Sequence, residues 1–426
     1  MIKEALSKFK NNKDAKRLSG NFLFLFIINV SNFIFPLITF PYLIRVLGIE
    51  GFGIINFALA FVVYFTLVSE YGFNLTATRD ISLNRDNQYK INEIFSKVIY
   101  SKIVLASLCF IVFCAGVLFI PKIKVNSDIF FLTYLSVFAQ VFIPIWLFQG
   151  LEKMKMLSLL FFISKLFSTG LIFSLVRVSG DIVKVPLINF ASFTFISVIS
   201  LTLCYKKYQI RFVNVSLSSL IQYCKDGFHI FLSNLSVAFF STGTITILGI
   251  MTNNTIVGYF SAADKIIQAI RTLLNTLSQI LFPYLSKFAN ENPNKVYSIN
   301  SRLIKFGIPI MTIFTLFLIL FSADLLRFLT KTNNEISNTV MRIMSVIPLI
   351  SYTHIILAMF ILLVFKKNKD YSFITLTSGL LNLVTSIPMI YFFGAIGAAI
   401  NIVLIEICSA ILYVRAIKHN NLQIFP

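Results

Sequence analysis

Long apolar segments recur along the entire chain, and no other feature restricts its possible folds as strongly. An α-helix needs roughly 20 apolar residues to cross the hydrocarbon core of a membrane, and most of these segments reach that length. Only 13% of the residues are charged, whereas 57% are apolar. A soluble enzyme of several domains would need more polar surface than this. The sequence therefore predicts an all-α integral membrane protein.

Charged residues, Gly and Pro separate the apolar segments and give about twelve predicted transmembrane helices. The predicted spans are 19–46, 53–74, 97–120, 128–150, 157–178, 184–205, 225–251, 255–286, 302–322, 337–365, 371–393 and 395–417. The five cysteines lie in or beside these segments without metal-ligand spacing. We therefore expect reduced cysteines, no metal and no other cofactor.

The distribution of Lys and Arg predicts the orientation of the helices. With the N-terminus in the cytoplasm, 25 of the 37 basic residues fall in cytoplasmic segments and 7 in outer segments. This bias follows the positive-inside rule. It predicts a multi-pass protein of the inner membrane with both termini in the cytoplasm. It also accounts for the net charge of +20 without a nucleic-acid partner.

A weak internal repeat predicts two lobes. Residues 53–58 (Gly-Ile-Ile-Asn-Phe-Ala) parallel residues 258–263 (Gly-Tyr-Phe-Ser-Ala-Ala), and the same offset maps the first six predicted helices onto the last six. An even number of helices per copy gives a parallel repeat, as in two-lobed transporters. The predicted organisation is a basic cytoplasmic tail (1–18), an N-lobe (19–205), a cytoplasmic linker (206–224), a C-lobe (225–417) and a cytoplasmic C-terminal tail (418–426).

The predicted helix 255–286 has one polar face. With 100° between successive residues, ten polar side chains fall within an arc of about 160°. They are Ser261, Asp264, Lys265, Gln268, Arg271, Thr272, Asn275, Thr276, Ser278 and Gln279. A spanning helix must turn such a face toward a water-filled cavity or a polar partner. We therefore expect this helix to line a central cavity between two six-helix lobes.

Polar side chains on other predicted helices extend this cavity. Asn56 and Glu70 share one face of the helix 53–74, and Asn32 lies on a polar stripe of the helix 19–46. The polar side chains of such stripes can also form hydrogen bonds between helices. Lys102 is interpreted as a lysine that extends to the cytoplasmic surface.

The charged residues of the predicted cavity are basic on balance. The cations are Lys165, Lys265, Arg271 and Arg342, and the anions are Glu70 and Asp264. A basic cavity suits an anionic substrate such as a diphosphate. The chain has no GxxxxGK[ST], HExxH or GxSxG motif, so we expect a transporter rather than an enzyme.

Several short segments of the N-terminal third together resemble the signature of Wzx-type O-antigen flippases. They are Pro41–Gly48, Gly51–Gly53, Glu70–Phe73, Thr76–Arg79 and Trp146–Met154. The resemblance implies a member of the multidrug/oligosaccharidyl-lipid/polysaccharide exporter superfamily, with a cationic central cavity and alternating access. It also implies the substrate, an undecaprenyl-diphosphate-linked oligosaccharide that moves to the periplasmic leaflet of the bacterial plasma membrane.

By position, the resemblance adds Arg45 and Arg79 to the candidate substrate contacts, each at a mouth of the cavity. Both could instead anchor the protein at the membrane interface. A polysaccharide polymerase and a chain-length regulator are further candidate partners, and we expect a monomer.

Two other functions remain as alternatives. A cation-coupled drug antiporter of the same superfamily would need a carboxylate-rich lobe, for which Glu70, Asp264 and Glu406 are the candidates. A membrane-embedded polymerase or ligase would carry a large outer loop, whereas the longest outer segment here, about 323–336, is short.

Overall fold

The computed structural model of the protein describes the backbone of residues 13–331 and 334–424. It describes side chains from residue 34 onward, except those of residues 240, 241, 280 and 290. The side chain of the predicted cavity residue Asn32 is not among those described. Residues 1–12 of the predicted tail 1–18 lie outside the described backbone. Within the described ranges, every regular element is helical.

The first half of the chain forms eight α-helices and one 3₁₀ turn. They are α1 (Lys13–Glu70), α2 (Phe73–Leu83), α3 (Gln88–Phe119), α4 (Pro121–Val125), α5 (Ser127–Val141), α6 (Ile145–Gly150), α7 (Met154–Leu175), the 3₁₀ turn Ser179–Val183 and α8 (Lys184–Lys207).

The second half forms eight further α-helices and two π-helical segments. They are α9 (Leu217–Met251), α10 (Asn254–Glu291), α11 (Pro293–Arg302), the π segment Leu303–Gly307, α12 (Ile308–Leu320), α13 (Ser322–Thr330), α14 (Glu335–Met344), α15 (Ile347–His354), the π segment Ile355–Leu363 and α16 (Asn368–His419).

Two glycines interrupt the longest helices. Gly48 lies within α1 with φ 75° and ψ 171°, and Gly394 lies within α16 with φ 55° and ψ −132°. Residues with a Cβ rarely adopt such a backbone. Gly48 falls between the predicted helices 19–46 and 53–74, and Gly394 between 371–393 and 395–417. The sequence therefore located both interruptions, although α1 and α16 continue on either side of them.

Eight helical segments of the described chain are long and apolar enough to cross a membrane, or nine with the bent pair Leu217–Phe239 and Thr242–Met251. Two of the eight, Ile34–Leu83 and Asn368–His419, contain the interruptions at Gly48 and Gly394. The amphipathic α10 has sufficient length but is too polar to belong to this set. The all-α membrane class is thus confirmed, and the number of twelve helices stays a prediction.

The predicted helix 128–150 is divided in the structure. α5 ends at Val141, and α6 begins at Ile145 directly after Pro144. Proline lacks an N–H and disfavours helical backbone in the residue before it. The short helix α6 then buries Trp146, Leu147 and Phe148.

The described chain forms two compact units. One comprises Val62–Leu232 together with the segment that ends at Thr39. There, α5 and α7 pack against α8, and a core forms around Trp146, Phe148 and Ile99. The division into lobes at 206–224 stays a prediction.

The other unit comprises Phe40–Phe61 together with the chain from Ser233 onward. There, α14 packs against both α10 and α16, and a core forms around the π segment Ile355–Leu363.

The two glycines that begin the repeated hexapeptides lie at close helix contacts within the second unit. A Cβ on Gly53 would collide with the carbonyl oxygen of Asn254, and a Cβ on Gly258 would collide with that of Ile49. Small residues allow helix backbones to approach in this way in membrane proteins. The repeated glycines therefore have a shared packing role.

Candidate functional site

The helix with the predicted polar face forms as expected. α10 begins after Asn253, whose side chain accepts a hydrogen bond from the Ile256 N–H at 2.8 Å. This cap satisfies a backbone N–H that has no partner within the first turn. The apolar Leu273 and Leu277 are exposed, which fits a face toward lipid.

The polar residues of α10 differ in their surroundings. Asp264 is buried and accepts a hydrogen bond from the Gln268 amide at 3.4 Å. Lys265 is half-buried, and Asn275 is exposed. Among the described side chains, Lys265 makes no hydrogen bond or ion pair.

Arg271 of α10 forms a charged cluster with two residues from other helices. Its guanidinium donates to the carboxylate of Glu406 on α16, which is completely buried. His354, the last residue of α15, places Nδ1 at 2.9 Å from the same carboxylate and Nε2 at 3.0 Å from the Glu406 carbonyl oxygen. The buried negative charge thus has a cation beside it.

A cavity of about 270 Å³ adjoins this cluster within the second unit. The polar side chains that line it are those of Arg271, Asn275, Ser351, His354, Tyr371, Thr375, Ser378, Ser409 and Tyr413. Guanidinium, amide and hydroxyl groups can all donate hydrogen bonds. The cavity is therefore suited to a polar group rich in acceptor oxygens.

A second ion pair lies in the first unit. The ammonium of Lys102 lies 2.8 Å from Oε1 of Glu70, and the Asn74 amide donates to Oε2 at 2.9 Å. Lys102 is completely buried. The interpretation of Lys102 as a residue that extends to the membrane surface was therefore wrong, because its ammonium is held inside by Glu70.

Lys165 lies near the middle of α7 and has no acidic partner. Its ammonium is 5.4 Å from the ring centre of Phe193 on α8, a distance at which a cation is attracted to the ring face. Within the described part of the chain, the Lys165 ammonium makes no hydrogen bond or ion pair. Neither the Lys165 nor the Lys265 ammonium is thus held by a described hydrogen bond or ion pair.

Three predicted arginines are engaged elsewhere. Arg45 donates to the carbonyl oxygens of Phe328 and Leu329, at 3.1 and 3.2 Å, near the end of α13. Basic side chains stabilise such helix ends. None of these contacts involves a polar residue of α10.

Arg342 is exposed and donates to the Ser322 hydroxyl at 3.3 Å. Arg79 is 72% exposed and contacts Asp80 at 3.2 Å. Arg79 thus has a partner at the surface, whereas the partner of Arg342 is the buried Ser322. The predicted polar residue Asn56 is buried and donates to the Phe52 carbonyl oxygen at 2.8 Å, a contact within its own helix.

The sequence analysis missed the partnership of Arg271 with Glu406 and His354. Glu406 was recognisable as a carboxylate within an apolar segment, but residues 135 positions apart show no pairing in the sequence. Within the described residues, no group of three or more His, Cys, Asp or Glu could hold a metal ion.

Two curated proteins are similar to this chain over its length. A protein of Escherichia coli (strain K12) named "Putative O-antigen transporter" is 32% identical over 417 residues, which cover 97% of this chain and 100% of that protein. A protein of the same name from Shigella dysenteriae is 28% identical over 404 residues, which cover 94% and 100%.

Solved structures of transporters share the fold. An inward-facing multidrug resistance transporter of the MATE family in the MOP superfamily matches with a TM-score of 0.71 and 13% identity, over 93% of this chain and 98% of that chain. A MOP superfamily transporter from Pyrococcus furiosus Vc1 (DSM3638) matches with a TM-score of 0.60 and 13% identity, over 95% of both chains.

The family described as "Polysaccharide biosynthesis protein" matches residues 18–289, which is more than half of the chain. This match agrees with the similarity to the two curated relatives over nearly the full length. The chain is a multi-pass membrane protein and belongs to the polysaccharide biosynthesis protein family.

Proposed function

We propose that this protein is a flippase that moves undecaprenyl-diphosphate-linked O-antigen, or a related polysaccharide repeat unit, from the cytoplasmic to the periplasmic leaflet. The observation that carries the proposal is the similarity, over 97% of the chain, to a relative named for O-antigen transport. The apolar spans of the chain suit a protein that takes its substrate from the bilayer.

The headgroup of such a substrate is the difficult part to move. Its diphosphate and sugar hydroxyls would lose their hydrogen-bond partners in hydrocarbon. A path lined with cations and polar groups provides substitutes for water. Lys265 and Lys165 are the proposed diphosphate contacts, because neither ammonium is engaged by a carboxylate.

Arg271 has a different proposed role from the two lysines. Its guanidinium is held by Glu406, so its charge is partly offset before a substrate arrives. It lines the cavity beside Asn275 and His354, where sugar hydroxyls could accept and donate hydrogen bonds. We assign this cavity to the saccharide rather than to the diphosphate.

The remaining parts of the proposal rest on the sequence analysis. Both termini lie in the cytoplasm, the protein resides in the bacterial inner membrane, and the path opens alternately to each leaflet. The protein acts as a monomeric transporter without catalytic residues. A polysaccharide polymerase and a chain-length regulator are the proposed partners that act after translocation.

A cation-coupled drug antiporter is the second candidate, favoured only by the fold shared with MATE transporters. Such a transporter needs carboxylates that are free to bind a cation. Here Lys102 contacts Glu70, Arg271 contacts Glu406, and the buried Asp264 accepts a hydrogen bond from Gln268. The flippase therefore fits the charges of the described residues better.

Deletion of the gene tests the proposal in the cell. A flippase predicts loss of surface O-antigen, with single lipid-linked repeat units accumulating on the cytoplasmic side, and unchanged sensitivity to cationic dyes. Restoration of O-antigen by the intact gene is the control. Normal O-antigen together with increased dye sensitivity would instead support the antiporter.

A further inference from the structure

The first unit contains an apolar groove that the proposed headgroup contacts do not use. It has a volume of about 490 Å³ and lies between α3 and the first turns of α9. Ligand pockets commonly have volumes of about 300–1,000 Å³. The apolar lining includes Val104 and Leu105 from α3, and Leu217, Ile221 and Phe228 from α9.

The walls of the groove are fixed by polar contacts. Asn92 and Ser96, on one face of α3, accept hydrogen bonds from the backbone N–H groups of Arg211 and Val213, at 3.0 and 2.9 Å. These contacts hold the segment that leads into α9. Further along, the Tyr223 hydroxyl donates to Asp80 at 3.1 Å.

Among the described residues that line the groove, Lys225 is the one cation. Lys225 is exposed and makes no hydrogen bond or ion pair among the described side chains. The adjacent Asp226 accepts a hydrogen bond from Gln222. An apolar groove with one free ammonium matches a lipid that has a long hydrocarbon chain and an anionic headgroup.

We infer that this groove holds the part of the isoprenoid chain nearest the diphosphate of the lipid-linked saccharide in the cytoplasmic leaflet, with the diphosphate at Lys225. The inference rests on the proposed function and on the predicted orientation, which places residues 75–97 and 206–225 in the cytoplasm. A diphosphate carries more negative charge than a phospholipid phosphodiester, so Lys225 favours the lipid-linked saccharide. The groove is then a loading site that precedes the contacts at Lys165 and Lys265.

The native Cys224 lines the groove and reports on its occupancy. The experiment uses the full-length protein in phosphatidylcholine nanodiscs, with the four other cysteines replaced by alanine. The rate of labelling by a maleimide dye is measured with undecaprenyl diphosphate and with phosphatidylglycerol. A second variant, Ile221→Cys with Cys224→Ala, places a thiol at a more exposed position of the groove.

We expect undecaprenyl diphosphate to slow labelling at both positions by about tenfold and phosphatidylglycerol to have little effect. Lys225→Ala should raise the concentration needed for half-maximal protection by about tenfold, as expected from a lost charge-assisted hydrogen bond. The control is Phe119→Cys at the opposite end of α3, where the side chain is 83% exposed and labelling should not change.

Equal protection by phosphatidylglycerol would overturn the inference, because the groove would then hold ordinary lipid chains. Absence of protection at both positions would overturn it as well. Transport of a lipid-linked sugar by the same variants is also measured in liposomes. This second measurement distinguishes failure of the groove inference from failure of the proposed function. Transport without protection rejects the groove alone, whereas absence of both rejects the groove and the flippase.

Discussion

Four basic side chains within the predicted transmembrane helices fall into two kinds. Lys102 and Arg271 each contact a carboxylate, and their charges are offset by a partner in the same unit. Lys165 and Lys265 have no such partner among the described side chains. An unpaired charge within a membrane costs free energy and commonly marks a functional site. The free lysines are therefore the stronger candidates for the substrate.

Substitution of Lys265 tests this distinction. We expect Lys265→Ala to reduce O-antigen export by about ten- to a hundredfold, the loss expected for one charge-assisted hydrogen bond. Lys265→Arg should retain much of the export because it keeps the charge. The amount of protein in the membrane should stay near normal, as measured by immunoblotting, because the substitution removes no described hydrogen bond or ion pair.

The matched control is Lys90→Ala, which removes an exposed cation paired with Glu93. Exposed ion pairs contribute little to stability because solvent screens them, so export should be unchanged. Normal export by both Lys265→Ala and Lys165→Ala would refute the assignment of the free lysines.

The ion pair between Arg271 and Glu406 should respond differently. Removing one partner of a buried ion pair costs about 3–5 kcal/mol, because the other charge stays buried without compensation. We expect Arg271→Ala and Glu406→Ala to lower the thermal unfolding temperature of the purified protein. Replacing both by leucine should recover most of the loss, since neither charge is then present.

Export by the double variant separates structure from transport. If Arg271 contacts the saccharide, the double variant folds but exports poorly. An unchanged unfolding temperature for Arg271→Ala alone would show that the pair contributes little to stability.

At the scale of elements, the repeated glycines allow close contact between helices. A methyl group at Gly53 would meet the backbone of Asn254, which cannot move as a flexible side chain could. Overpacking of this kind costs about 1–3 kcal/mol. We therefore expect Gly53→Ala to lower the unfolding temperature in detergent.

Gly170→Ala is the matched control, because Gly170 lies within α7 with open space around it. Alanine in a helix interior stabilises by about 0.5–1 kcal/mol relative to glycine. The unfolding temperature should therefore stay the same or rise. Equal losses for the two variants would contradict the steric explanation.

Several elements could be predicted from the sequence because their signals are local. The apolar segments predicted the spans, and the polar arc of 255–286 predicted α10 at Asn254–Glu291. Pro144 is a local signal that was available but was not used, so the break between α5 and α6 was missed. The two π-helical segments have no comparable signature in the sequence.

The candidate site was predictable only in part, for a physical reason. Periodicity shows which side chains share a helix face, and this identified Asp264, Lys265 and Arg271. It does not show which side chains meet across helices. The partners Glu406 and His354 lie on other elements, so only the packed structure reveals that Arg271 is neutralised while Lys265 is not.

At the scale of the whole molecule, the orientation follows from the basic residues and can be measured. Single cysteines at Val125 and Val178, both exposed in the structure, should react with an impermeant maleimide added outside. Cysteines at Gln209 and Asn292, which are also exposed, should react only after the membrane is opened. A cysteine-free background provides the control. Outside labelling at Gln209 would contradict the predicted cytoplasmic linker.

We propose that transport by this protein does not require ATP. Its sequence contains no GxxxxGK[ST] motif, and the proposed cationic and polar contacts would replace water around the headgroup. The isoprenoid chain stays in an apolar environment throughout, so the free energy barrier lies with the diphosphate and the saccharide.

The most direct test of the account is therefore leaflet-to-leaflet transport by the purified protein in liposomes. A fluorescent undecaprenyl-diphosphate sugar is placed in one leaflet, and its appearance in the other is followed without ATP. The account predicts transport by the intact protein and a loss of about ten- to a hundredfold for Lys265→Ala. No transport of this lipid, together with export of cationic dyes, would contradict it.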